Sequence, residues 1–161
     1  MSILSENTKQ RDLFIGLPLI AFFVIGGLFL LLHEQAKSRD AVRASIVHQL
    51  QGSLELYSRN RASYPPTAEG AIVVGIEGRD CLGMGGFVER ASQACTKKPY
   101  LMFRTGEGDI DRIEYVGVSQ DGATLCTSAI GCPQYRVTFR QETGSIYGKK
   151  GIHTLTSAGF Q

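Results

Sequence analysis

Three observations predict an α+β protein in which a long N-terminal helix docks on a small antiparallel sheet. Residues 13–32 form an unbroken apolar run. The stretch after it repeats apolar residues every three or four positions. Beyond Tyr64 the chain changes to short alternating runs separated by glycine-rich turns. A period near 3.6 specifies a helix with one buried face, and a period of 2 specifies strands.

The run LFIGLPLIAFFVIGGLFLLL, Leu13 to Leu32, carries no charge and has the length a helix needs to cross a hydrocarbon core of roughly 30 Å. Leu, Ile, Val and Phe fill 15 of its positions, and at about −0.3 to −0.6 kcal/mol each they contribute roughly −5 to −9 kcal/mol to insertion. That outweighs Gly16, Pro18, Gly26 and Gly27. A removable signal has a shorter apolar region and a small-x-small cleavage site. His33-Glu34-Gln35-Ala36-Lys37 offers none, so the run reads as a permanent anchor.

Lys9 and Arg11 precede the anchor, while Lys37, Arg39 and Arg43 follow it, so basic residues do not orient it. The cysteines do: Cys81, Cys95, Cys126 and Cys132 all lie C-terminal to it, and an even set in a tethered domain points to an oxidising compartment. The expected topology is a cytoplasmic tail (1–12), the transmembrane segment (13–32) and one extracytoplasmic domain (33–161). With 17 Lys and Arg against 15 Asp and Glu, the chain has a net charge of +2, which excludes a broad basic surface for nucleic acid.

From His33 to Arg61 there is no proline and a single glycine, Gly52. Val42, Ile46, Val47, Leu50, Leu54 and Tyr57 make one apolar stripe, and Arg39, Arg43, His48, Gln51, Glu55 and Arg59 fall opposite. With no break at the anchor, one helix is expected from about Leu13 to about Asn60, roughly 70 Å long. Arg59 and Arg61 suit its negative end, and Tyr64-Pro65-Pro66-Thr67 stops it. Residues 62–99 then read as a loop region, with Ala71–Val74 a short apolar run of undefined type. Residues 100–161 hold the sheet, with strands at Tyr100–Arg104, Ile113–Ser119, Tyr135–Gln141, Ser145–Tyr147 and His153–Thr156. Turns fall at Gly106–Asp109, Asp121-Gly122 and Thr143-Gly144. Tyr57, Tyr64, Tyr100, Phe103 and Phe139 are the expected aromatic core.

In that order, the run Ser45-Ile46-Val47-His48-Gln49-Leu50-Gln51-Gly52-Ser53-Leu54-Glu55-Leu56-Tyr57, the turn Ser63-Tyr64-Pro65-Pro66-Thr67-Ala68-Glu69-Gly70 and the strand Tyr115-Val116-Gly117-Val118-Ser119-Gln120-Asp121-Gly122 resemble type IV pilin-like proteins. The similarity is greatest to the major pseudopilin of type II secretion. It covers the helix and turn well, the sheet loosely, and the C-terminal third in general character. It implies a pilin-like fold and a structural subunit of a pilus-like or pseudopilus filament, stored in the membrane and assembled with other pilin-like subunits through its N-terminal helix. Gly16, Pro18, Gly26 and Gly27 would then lie in the assembling helix, where small residues permit close approach.

The family is cut after a Gly that follows basic residues, with a hydrophobic residue next and Glu at the fifth place. Here the candidate is Gly16 followed by Leu17. Ala21 stands at the fifth place, and Leu13-Phe14-Ile15 separates Gly16 from the basic residues. The alternative is therefore an anchored binding module with a pilin-like fold that never polymerises. The resemblance also implies calcium in the loops of the sheet, for which Asp109, Asp111 and Asp121, with Glu107, would be the oxygen donors. Acidic turn residues in water are the other reading of the same positions.

The four cysteines permit three pairings. The local one, Cys81–Cys95 with Cys126–Cys132, is favoured, and closing the first loop contributes about 3 kcal/mol. Zinc is disfavoured, since no Cys-x-x-Cys and no nearby His occur. No catalytic constellation is found. Gly144–Lys150 has a glycine spacing one short of a phosphate loop and places Lys150 where a magnesium ligand belongs. Gly83-Met84-Gly85-Gly86 lacks the third spaced glycine of a dinucleotide site. His33, His48 and His153 are scattered. The expected role is structural, not enzymatic.

Overall fold

The computed structural model describes residues 4–67, 70–76, 78–103, 113–126, 131–144 and 148–160, with side chains from residue 20 onward. The chain divides into two compact units, Met1–Ser38 and Arg39–Gln161.

The first unit is helical. It belongs to α1, which runs Leu4–Arg61 and so starts well before the apolar run. Glu6, Lys9, Gln10 and Arg11 are good helix formers and extend the element through what the sequence alone leaves as a polar tail. Pro18 and the Gly26-Gly27 pair do not interrupt it.

The second unit is α+β: the C-terminal half of α1 packs on antiparallel sheets. A five-stranded sheet has the order β1-β5-β6-β7-β8, from β1 (Ile72–Val73), β5 (Ile113–Val118), β6 (Gln134–Gln141), β7 (Gly151–Thr156) and β8 (Gly159–Phe160). A smaller sheet has the order β3-β2-β4, from β2 (Cys81–Gly83), β3 (Gly86–Val88) and β4 (Leu101–Met102). A five-residue helix, α2 (Gln93–Lys97), lies between β3 and β4 in the chain. All pairs are antiparallel; for β2–β3, β6–β7 and β7–β8 the connection is too short for a parallel crossover.

The register brings one face of the large sheet to the helix. Ile113 pairs with Phe139, Tyr115 with Val137, and Val137 with Leu155. Along β6, Tyr135, Val137, Phe139 and Gln141 are buried while Arg136, Thr138 and Arg140 are more exposed. Val47, Leu50, Leu54 and Tyr57 of α1 close the core against them, with Tyr64, Leu82 and Phe103. Tyr100 packs at its margin.

The Tyr-Pro turn is built into this core. Tyr64 and Cys132 exchange backbone hydrogen bonds of 2.7 and 2.9 Å. The Tyr115 hydroxyl donates to the Pro65 carbonyl at 2.7 Å, and the Gly117 amide donates to Thr67 Oγ1 at 3.1 Å. Gly117 has to be glycine, because a Cβ there would lie 2.6 Å from Cys132 Sγ and 3.0 Å from the Pro65 carbonyl oxygen. The helix itself ends on Ala62, which adopts φ 57° and donates its amide to the Ser58 carbonyl. That left-handed position usually takes glycine.

Three expectations need correction. Residues 79–98 are no plain loop: they hold the β2–β3 hairpin and α2. The strands are three residues long, too short to show a period, and tertiary pairing imposes them. Gly83 and Gly86 face each other across the hairpin, and Gly83 admits α2, since a Cβ would lie 3.0 Å from the Ala94 carbonyl oxygen. Arg43 is not on a solvated face but fully buried, and Val42, assigned to the apolar stripe, is exposed. The strand expected at 145–147 and the turn at 106–109 lie outside the described residues.

Candidate functional site

From Ile20 to Leu32 every side chain of α1 is exposed, on all faces of the helix. The large apolar ones range from 56% (Leu32) to 75% (Phe22). A Leu, Ile or Phe moved from water to an apolar environment is stabilised by about 1.5–3 kcal/mol. A ring of such residues is costly to leave in water. The helix is long and apolar enough to cross a membrane. Gly26 and Gly27 sit in this stretch, and a Cβ on either would meet nothing within 4 Å. The chain's own fold does not demand glycine there. Gly16, Leu17 and Pro18 belong to the same helix, with side chains outside the described set.

In the second unit, α1 begins with a cluster of charge. Its inward stripe reads Asp40, Arg43, Val47, Leu50, Leu54, Tyr57, all buried at steps of three and four. The first two rungs are ionic. Arg43 Nη1 donates to Asp40 Oδ1 at 2.9 Å, and its Nη2 reaches Glu142 Oε1 at 2.7 Å. Arg39 clasps the same Glu142 carboxylate from outside, with Nε 3.2 Å from Oε1 and Nη2 on Oε2. Asp40 turns to the end of β6, accepting from the Glu142 amide (2.9 Å), the Thr143 amide (2.6 Å) and the Thr143 hydroxyl (2.6 Å). A buried carboxylate with this many donors is a satisfied anion.

Burial pushes the Asp40 carboxyl up, but the Thr143 hydroxyl, the Glu142 and Thr143 amides and the Arg43 charge outweigh it. The group settles below its ordinary value. Hydrogen bonds from Arg39 and then Arg43 hold the Glu142 carboxyl at about 2. The cluster fixes the start of the docked helix to the β6–β7 connection. Sequence reasoning placed Arg39 and Arg43 with the solvated residues and missed the cluster. The Asp40/Arg43 spacing of three was the only local signal, and Glu142 lies 102 residues away from Asp40.

At the opposite end of this segment of α1, Arg61 donates through Nε and Nη2 to the Met84 carbonyl at 3.0 and 2.8 Å, tying down the β2–β3 turn. The Gly83–Gly86 motif is that turn.

The cysteines pair locally. Cys81 on β2 is joined to Cys95 on α2, with Cα atoms 6.3 Å apart. Cys126 is joined to Cys132, with Cα atoms 5.8 Å apart, and Cys132 carries the bridge to Tyr64. Of the proposed calcium donors, Glu107, Asp109 and Asp111 lie outside the described residues. The Asp121 carboxylate is engaged by its own turn, accepting from the Ala123 and Thr124 amides at 3.1 and 3.0 Å and from the Thr124 hydroxyl. Those bonds hold its carboxyl below the ordinary value. Among the described residues no group of three or more His, Cys, Asp or Glu converges as a metal site. His33 and His48 are exposed on α1, and the His153 ring donates to the Lys149 carbonyl at 2.9 Å.

Comparison with family models, with curated proteins and with solved structures finds no match to this chain.

Proposed function

We propose that the chain is a structural subunit with a pilin-like fold, held in a membrane by the first half of α1 and assembled through that helix into a pilus-like or pseudopilus filament. The observation that carries the reading is the apolar helix exposed on every face, with two glycines its own fold does not use. Such a helix exchanges lipid contacts for helix contacts with little change in apolar burial, and small residues let the backbones approach. The order of long helix, buried Tyr-Pro turn and antiparallel sheet supports the pilin-like assignment. The two disulfides support an extracytoplasmic domain.

A cysteine at Ile25 tests assembly. Oxidation of Ile25→Cys in native membranes should yield a disulfide-linked dimer, the limit for one thiol per chain, and Phe23→Cys/Ile25→Cys, with thiols on opposite faces of the helix, a ladder of crosslinked multimers. Monomer alone, under conditions where a control pair in a known filament crosslinks, would overturn it.

One observation favours the second reading, an anchored binding module that stays monomeric. Ala21 occupies the place where the resembled family has Glu, so the charge that partners a neighbour's N-terminus is missing. The mass of the mature protein separates the two. A start at Leu17 indicates prepilin-type processing and the filament; an intact Met1 favours the permanent anchor.

A further inference from the structure

We draw no further inference here: the strongest candidate, the exposed and uncharged helix face that runs along the second-unit part of α1 from Val42 through Ser45, Gln49 and Gly52 to Leu56, carries nothing, because nothing in the structure shows what covers it.

Discussion

Asp40 and Arg43 occupy core rungs that the residues on either side of them would fill with Val or Leu. Breaking a buried pair by removing one partner leaves an uncompensated charge. Arg43→Gln should therefore destabilise the second unit by about 3–5 kcal/mol, read as a lowered melting temperature of the detergent-solubilised protein. The pH dependence has a definite sign. Asp40 and Glu142 both titrate lower in the folded protein than in the unfolded chain. Their contribution is complete above the unfolded carboxylate range and is lost as pH falls from about 4.5 toward about 2. Melts across that window should drop steeply for the wild type and more shallowly for Arg43→Gln. Two other residues carry a local penalty. Ala62 is held at φ 57°, so Ala62→Gly should gain roughly 1 kcal/mol. The buried Tyr135 hydroxyl has no hydrogen-bond partner among the described residues, so Tyr135→Phe should leave stability unchanged or raise it by about 1 kcal/mol.

At the scale of elements, legibility followed length. The docked half of α1 and the strands β5, β6 and β7 run six residues or more, enough for a period to show, and the sequence placed each within a residue or two. The Tyr-Pro stop was legible because proline ends helices whatever surrounds it. The β2–β3 hairpin was not: three-residue strands carry no period, and their pairing is fixed by the disulfide, by α2 and by Arg61 on the turn. The charged cluster escaped for a different reason. A hydropathy pattern assigns every Arg and Asp to water, and only the fold brings Glu142 and Thr143 to Asp40. The Cys126–Cys132 bridge is an element-scale device, since it stiffens the segment before β6 whose Cys132 pairs with Tyr64. Replacing both cysteines with alanine should cost about 2–5 kcal/mol. The first amides to lose hydrogen-exchange protection should be those of Tyr64 and residue 132.

For the whole molecule, the apolar helix and the α+β unit make separable demands. Because a Cβ at Gly27 meets nothing within 4 Å, Gly27→Leu should leave the melting of the sheet unit within about 0.5 kcal/mol of wild type. It should also weaken crosslinking through Ile25→Cys if helices approach closely at that point. Both properties falling together would mean that the glycine serves the fold.

Asp40 and the Glu142 amide that it accepts from are separated by 102 residues. A ribosome adding about 5–20 residues per second needs roughly 5–20 s to cover that distance. For that interval the nascent chain presents Val47, Leu50, Leu54 and Tyr57 with no sheet to receive them. Helices form in microseconds, so the amphipathic half exists long before its strands do. The earliest vulnerable species in biogenesis is thus a formed helix with a sticky stripe. Until the last third of the polypeptide emerges, that stripe is the surface from which aggregation would start.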